Sequence, residues 1–467
     1  MKRNIFLGAS LALMLMSNGV NAQVVNDVNT PLHLMKPQYS TGYGIPAQED
    51  VKASIDKVLN YLKVEMPAEM NGEKIKQGGF RLTSYEMGVL YSACVEASMN
   101  TNDAEYLKFV TDRLQLLAQN EPKNVAALQQ KKSIDGQMRS VINPQALDDA
   151  GAMCAGFIRM QLAQGITYDK TDKNIRNIID RYINFVYKKQ FRLPDGTLAR
   201  IRPHVNTVWL DDMYMGIPCL AWYAAFTGKT EYMDEALRQI RLFKEKMWVE
   251  LNYDGSGLFR HGWVEEMQSH PMYPWGRANG WAILTMCEVL DAMTVARYST
   301  GFEEVKALLN KHVSGLSKLQ DKTGFWHQLL NDNTTYLETS ATAIYAYCFA
   351  HAMNEGWIDT ILYGAQTLLA WHAVSTQVNA KGQVENTCVG TGMGFDPAFY
   401  AARPVHVMAA HGYGPVIWAG GEIIRFLNNS HPKMNDSAVQ FYKTEQKTKS
   451  AIFSEQRGDE KVEKVLW

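Results

Sequence analysis

Residues 208–226 read VWLDDMYMGIPCLAWYAAF, an apolar and aromatic run interrupted by one pair of carboxylates, Asp211 and Asp212. A run of this length that is apolar on every face favours a buried helix. Pro218 lacks an N–H and crowds the carbonyl four residues earlier, so we expect the two acids at the mouth or at a kink of the helix. Burial of an unpaired carboxylate raises its pKa, which suits a proton donor that works near neutral pH. Capping of a helix start explains the pair equally well.

Apolar residues at three- and four-residue spacing predict helices along most of the chain. The predicted helices span residues 51–64, 84–98, 103–118, 150–163, 174–188, 231–248, 280–298, 301–319, 340–355 and 358–373. Some are amphipathic, whereas others, such as the helix containing residues 341–350, are rich in Ala, Gly and aromatic residues on most faces. Short connections indicate stacked antiparallel hairpins. We therefore predict an all-α toroid, with an inner ring of buried helices inside an outer ring of amphipathic ones.

The N-terminus has the pattern of a secretory signal peptide. Lys2 and Arg3 precede an apolar run over residues 5–16, and Ala22 ends a short segment of small residues of the kind that signal peptidase cleaves. An apolar run of about a dozen residues is too short to span a bilayer. We predict cleavage after Ala22 and an exported, periplasmic protein, with a signal peptide over residues 1–22, a barrel over 23–430 and a polar tail over 431–467.

The composition excludes several classes of partner. The chain has 467 residues, of which 46% are hydrophobic, and a formal net charge of −1. This near-neutral balance argues against nucleic acid or an anionic membrane surface as a partner. The six cysteines include no C-x-x-C pair and occur mostly in apolar, helix-like surroundings, so we predict buried thiols rather than a disulfide framework.

A second acidic pair, Asp148 and Asp149, opens a helix of small residues after Asn143 and Pro144. Two such pairs, each entering an apolar helix, predict a shared acidic pocket. Like charges held close together keep one carboxyl protonated, as acid catalysis requires. Capping is again the alternative for this pair.

Aromatic and basic residues cluster in the longer connections. His261 lies between Arg260 and Trp263 and is a candidate to orient a polar ligand, although a lone loop histidine is usually solvated. Residues 275–281, WGRANGW, combine two tryptophans with an arginine and an amide. Tryptophan faces stack on sugar rings and the arginine fork matches a carboxylate, so this segment favours an acidic sugar, with core packing as the alternative. Glu338 begins a predicted helix, where capping is the simpler explanation.

Signatures of metal and cofactor sites are absent from the sequence. It contains no H-E-x-x-H, no P-loop and no G-x-G-x-x-G between a strand and a helix. An Asp-Asp pair near aromatic residues can hold magnesium for a diphosphate substrate, but that site needs a third acid four residues after Asp211, where Met215 stands. We predict neither a metal nor an organic cofactor.

Taken in order, the motifs resemble glycoside hydrolase family 105, the unsaturated rhamnogalacturonyl hydrolases and their relatives. The matching segments are LDDAGAM (147–153), RP (202–203), WLDDMYMGIP (209–218), HGW (261–263), WGRANGW (275–281) and YLETSATA (336–343). The resemblance covers residues 83–421, and GYGP (412–415) resembles the family's closing segment. Met87 departs from the family pattern, which has tryptophan at this place in its early Y-x-x-G-V segment.

The resemblance implies a six-hairpin (α/α)6 barrel and an unusual hydrolysis. Such enzymes hydrate the vinyl ether of a 4,5-unsaturated uronic acid at the non-reducing end of lyase-generated oligosaccharides, so the implied partner is an acidic oligosaccharide. Asp211 matches the family's general acid/base, and Asp212 is its rival because the doublet leaves the register open by one. Asp149 matches the second pocket acid. The implied substrate-binding residues are His261 and Trp263 near the sugar ring, Arg277 and Arg202 at the uronate carboxylate, and Trp275 and Trp281 as stacking walls. A proton and a water suffice for this reaction, which is consistent with the absence of cofactor signatures.

Other functions remain open on the same barrel. A non-catalytic glycan-binding toroid would use the tryptophans and arginines without the acid pairs. A sugar epimerase would pair His261 with His327 or His411 as acid and base. A hydrolase of neutral glycans would make the arginines incidental.

Overall fold

The computed structural model describes residues 42–267, 270, 273–435, 438–444 and 462–465. The predicted signal peptide and most of the predicted tail lie outside these residues. Within the described residues, no helix combines the length and apolarity needed to cross a membrane.

Twelve long helices build the barrel. They are α1 (Gln48–Glu65), α2 (Tyr85–Thr101), α3 (Ala104–Gln129), α4 (Leu147–Ala163), α5 (Lys173–Asn184), α6 (Asp211–Thr227), α7 (Glu231–Met247), α8 (Gly276–Ala296), α9 (Phe302–Ser317), α10 (Thr339–Asn354), α11 (Thr360–Ser375) and α12 (Tyr413–Ser430). Short helical segments are Gly136–Met138, Arg139–Ile142, Tyr168–Lys170, Pro397–Ala401 and Ala410–Gly412, with a π-helical turn at Phe185–Lys189.

The even-numbered helices form a closed inner ring, in which α2 packs on α4, α4 on α6, α6 on α8, α8 on α10, α10 on α12 and α12 back on α2. Each odd-numbered helix covers one member of this ring from outside. The division follows the sequence: nearly every residue of α6 is buried, whereas α5 buries one stripe. This confirms the predicted six-hairpin (α/α)6 barrel.

Glycine lets the inner helices that carry the acids approach closely. A Cβ at Gly151 in α4 would lie 1.6 Å from the carbonyl oxygen of Met215 in α6. A Cβ at Gly88 in α2 would lie 2.3 Å from the carbonyl carbon of Ala152 in α4. These contacts leave no room for a side chain, so the starts of α2, α4 and α6 converge at one end of the barrel.

Proline lies inside two of the helices. The α3 helix continues past the predicted end at residue 118 and includes Pro122. Pro218 lies inside α6, which is a single helical element. The placement of Asp211 and Asp212 at the mouth of the helix is confirmed, since they are its first two residues.

Short antiparallel strand pairs join the helices. The pairs are Met70–Asn71 with Lys74–Ile75, Thr207–Trp209 with Gly262–Val264, Trp248–Glu250 with Gly257–Phe259, Trp326–Leu329 with Asp332–Glu338, Lys433–Met434 with Val439–Gln440, and Tyr442–Thr444 with Val462–Val465. In the second pair Trp209 lies opposite Gly262, and Leu210 N donates to the carbonyl of His261. This pairing delivers His261 to the start of α6.

The first part of the segment that follows α12 packs on the barrel. Phe441 is buried, and its ring packs on Phe426 with the centroids 5.8 Å apart. All six cysteines are buried free thiols, as predicted.

Candidate active site

Asp211 is the acid of the doublet that reaches open space. Its side chain is 15% exposed, whereas Asp212 is fully buried. Oδ2 of Asp211 lies 2.9 Å from Nε2 of His261, which is itself 1% exposed. The two residues come from the start of α6 and from the paired strand beside it. The geometry therefore selects Asp211 as the member of the doublet that a ligand can touch.

Asp212 holds Arg200 in place. The Arg200 guanidinium donates to both carboxylate oxygens of Asp212, from Nη2 at 2.6 Å and from Nε at 2.8 Å. The same guanidinium donates to Asp148, from Nη2 at 2.8 Å and from Nη1 at 3.1 Å. One arginine thus links the first turns of α4 and α6 across the site.

The two acids of the doublet differ in pKa. Burial raises the pKa of Asp212 to about 6; Arg200 opposes this, and Asp148 and Asp211 reinforce it by repulsion. Burial also acts on Asp211, but the hydrogen bond and charge of His261, followed by Arg200 and Arg277, leave its pKa below the ordinary value. Asp211 is therefore ionised in the free protein at neutral pH.

Asp148, rather than the predicted Asp149, is the second acid of the pocket. Asp148 is bound to Arg200, as described, and its charge also raises the pKa of Asp212. The Asp149 carboxylate accepts instead from the backbone N–H of Gln145 at 2.8 Å. A one-residue step in the first turn of a helix rotates the side chain by about 100°, which separates the two acids.

Arg277 is buried beside the site. It is 1% exposed, and its Nη1 and Nη2 donate to the carbonyls of Cys388 and Val389 at 2.7 and 2.8 Å. Its Nε has no partner among the described residues, and the contact of Arg277 with a substrate carboxylate stays a prediction. Its charge still acts on the site, since it lowers the pKa of Asp211.

The predicted tryptophans occupy different environments. Trp275 is buried against His261, with ring centroids 4.8 Å apart, and supports it from behind. Trp281 stacks on Tyr214 inside the barrel, and Trp263 stacks on His270. The role of Trp281 as a stacking wall and the position of Trp263 near the sugar ring stay predictions.

Trp209 is an aromatic residue of the site that the sequence argument did not assign. Its ring lies 4.3 Å from the guanidinium carbon of Arg200 and 5.6 Å from that of Arg202. Arg202 is 65% exposed, and its one ion pair among the described residues, with Asp148, is long at 3.9 Å. Of the two arginines predicted to face a uronate, Arg202 is therefore the exposed one.

A tyrosine–histidine pair at the start of α2 completes the pocket. The hydroxyl of Tyr85 lies 2.5 Å from Nε2 of His411, and Glu86 lies 3.5 Å from the same nitrogen. Burial, assisted by Arg277, lowers the pKa of His411 well below its ordinary value, so this ring is neutral. The Y-x-x-G-V and HGYG motifs carried the signal for this pair, but they lie far apart in the sequence.

Tyr400 fixes the orientation of His261. Its hydroxyl lies 2.7 Å from Nδ1 of His261 and accepts the backbone N–H of Gly394 at 3.0 Å. The Tyr400 hydroxyl and the Asp211 carboxylate thus hold the two ring nitrogens of His261, Nδ1 and Nε2. The glycine-rich segment 390–394, which the sequence alone did not explain, thereby helps to position the acid.

The three histidines that an epimerase would use are each held by a separate hydrogen-bond partner. His261 is committed to Asp211 and Tyr400. His411 is bound to Tyr85, and Nδ1 of His327 donates to the backbone carbonyl of Thr335 at 2.6 Å. His327 lines a separate surface cavity with Asp321. Each histidine thus has its own partner and its own surroundings.

Deep in the barrel, Glu96, His351 and Glu422 bring three possible metal ligands together. The two carboxylates already bind guanidinium groups, with Arg159 2.7 Å from Glu96 and Arg425 2.9 Å from Glu422. Although burial lowers the pKa of His351, the surrounding carboxylates raise it well above its ordinary value, so the ring is a cation. This donor set is satisfied as a buried ion-pair network and does not fit a metal.

Comparisons with known proteins place the chain in a family. The model of Glycosyl Hydrolase Family 88 matches residues 54–427. The unsaturated rhamnogalacturonyl hydrolase YesR of Bacillus subtilis is 29% identical over 208 residues, which are 44% of this chain and 56% of that protein. The match thus spans little more than half of that relative.

Solved structures share the fold. A possible member of the GH105 family from Salmonella enterica has a TM-score of 0.65 at 20% identity, covering 85% of this chain and 97% of that one. The unsaturated glucuronyl hydrolase of Bacillus sp. GL1 has a TM-score of 0.54 at 12% identity, covering 79% and 96%. The predicted resemblance is confirmed: the chain belongs to Glycosyl Hydrolase Family 88, and its barrel has the fold of the GH105 structures.

Proposed function

We propose that the protein removes 4,5-unsaturated uronic acid from the non-reducing end of lyase-generated oligosaccharides by hydrating the vinyl ether. The observation that carries the proposal is the geometry of Asp211, a partly exposed carboxylate held by His261 and flanked by the Arg200-linked acids Asp148 and Asp212. The substrate class also agrees with what the related YesR is named for.

In this reaction Asp211 delivers a proton to C4 of the sugar. A water then adds to C5 and returns its proton to the Asp211 carboxylate, so the acid is regenerated. The resulting hemiketal opens, and the hemiacetal left at C1 releases the neighbouring sugar with its original glycosidic oxygen. One water is consumed, and no bond to the protein forms.

Binding of the substrate is expected to favour the protonated form of Asp211. In the free protein His261, Arg200 and Arg277 hold the pKa of Asp211 down. A uronate carboxylate entering beside Arg202 adds a negative charge, which favours the protonated form of Asp211. Arg202 is the cation for this role because it is exposed, whereas Arg277 is buried.

The test uses a panel of lyase-generated unsaturated disaccharides and follows the ultraviolet absorbance of the conjugated enoate. We expect the absorbance to fall while the neighbouring sugar is released. Unchanged absorbance across a broad panel, with a folded protein, contradicts the proposal.

We also propose export to the periplasm, on the strength of the charged and apolar pattern over residues 1–22. Mass spectrometry of the protein recovered from a periplasmic fraction is expected to give an N-terminus at Gln23. Recovery of the uncleaved chain from the cytoplasm alone would contradict it.

A further inference from the structure

A groove lies directly beside the acids and is not used by the reaction described above. It has a volume of about 510 Å³. It is lined by three segments of the chain, namely residues 145–147, part of residues 185–191, and residues 199–202. Gln190 joins the second segment to the third by donating to the carbonyl of Ala199 at 2.7 Å.

The groove is continuous with the catalytic pocket through Arg200 and Arg202. Both arginines line the groove, and both also contact Asp148 and the ring of Trp209. Leu147, which also lines the groove, is the residue directly before Asp148. A saccharide chain whose terminal sugar lies at Asp211 therefore reaches the groove by passing Arg202.

The lining of the groove combines positive charge with exposed apolar surface. Lys189 is exposed and has no ion pair among the described residues, while Arg202 has only the 3.9 Å pair. Among the described residues no carboxylate lines the groove. Phe191 and Ile201 are 38% and 65% exposed, and the ring of Phe191 offers a face on which a sugar ring can stack.

An irregular helical turn forms part of the lining of the groove. Phe185–Lys189 forms a π-helical turn at the end of α5, and such turns occur frequently at functional sites. The turn ends in Lys188 and Lys189, of which only Lys189 lines the groove.

We propose that this groove is a subsite for the leaving part of the substrate, and that it recognises a second anionic sugar through Lys189. The inference rests on the proposed function, since it assigns the position of the saccharide beyond the bond that is cleaved. It predicts a preference for oligosaccharides with an additional uronate over disaccharides with a neutral reducing-end sugar.

The test compares kcat/KM for an unsaturated disaccharide with a neutral second sugar and for a longer unsaturated oligosaccharide with a second uronate. Lys189→Gln is expected to lower the value for the longer substrate by about two- to fivefold, the range for one exposed ion pair, and to leave the disaccharide unchanged. Lys188→Gln, one residue away and outside the groove, is the matched control and is expected to change neither. Phe191→Ala is expected to lower kcat/KM for the longer substrate and to leave kcat/KM for the disaccharide unchanged.

The outcomes separate the two proposals. The subsite is refuted, and the function stands, if the wild type hydrolyses the disaccharide but Lys189→Gln leaves the ratio of kcat/KM for the longer substrate to kcat/KM for the disaccharide unchanged, as Lys188→Gln does. If neither substrate is hydrolysed by the folded wild type, the proposed function itself fails.

Discussion

Asp211→Asn is the substitution that separates the proton donor from its neighbours. The change keeps the shape of the side chain and removes its acidity, so we expect kcat to fall by about 10²- to 10⁴-fold, the usual contribution of a positioned acid or base. The stability cost is small because one hydrogen bond of 2.9 Å to a histidine is altered, which costs about 1 kcal/mol.

The assay measures the initial rate of absorbance loss on the best disaccharide, together with unfolding of wild type and variant by urea. Ligand binding is followed separately, because the substrate carboxylate is expected to bind through Arg202 and to survive the change. An Asp211→Asn protein that is folded and turns over at a rate close to wild type would refute the assignment of the acid.

Further predictions concern the acids and the tyrosine around this residue. Asp148→Asn is expected to lower kcat/KM by tenfold or more, because it removes a carboxylate bound to the pocket arginine, whereas Asp149→Asn, its matched neighbour, is expected to stay within about threefold, with kinetics as the check. The folded-state pKa of Asp212, about 6, lies above the ordinary value of 3.8, so its contribution to stability is fully present below about pH 4 and is lost as pH rises through 6. Urea unfolding is therefore expected to show that the wild type loses stability between pH 4 and pH 7 and that Asp212→Asn lacks this loss, and the same pH dependence in both proteins would contradict this. Tyr400→Phe removes the 2.7 Å partner of His261 and is expected to lower kcat by about three- to tenfold with KM unchanged and with a shift in the pH–rate profile, and identical profiles would show that the tyrosine only packs.

The barrel was predictable because the spacing of apolar residues in each segment indicates both a helix and the part of its surface that is buried. Inner helices such as α6 are apolar all round, and outer helices such as α5 are apolar on one stripe. The spacing does not show that packing tolerates a buried proline inside a helix, as it does for Pro218 in α6; Pro122 in α3 is exposed. Tertiary contacts around Pro218 outweigh the low intrinsic helix propensity of proline.

The site was predictable in its acids and less so in its partners. Asp211 was found from its apolar surroundings, but the choice between Asp148 and Asp149 depends on the rotation of one helical residue, which a doublet in the sequence does not specify. The sequence shows the charge of Arg277 and not its partners, because the carbonyls of Cys388 and Val389 lie more than 100 residues away along the chain. Tyr85 and His411 meet only through closure of the ring between α2 and α12.

The central claim, protonation at C4 followed by hydration at C5, is tested most directly by running the reaction in D₂O and examining the released uronic acid by NMR. The account predicts one deuterium at C4, loss of the enoate absorbance at the same rate as release of the neighbouring sugar, and no incorporation with Asp211→Asn. Release of the neighbouring sugar with the enoate intact and no deuterium at C4 would show direct displacement at the glycosidic carbon and would contradict the account.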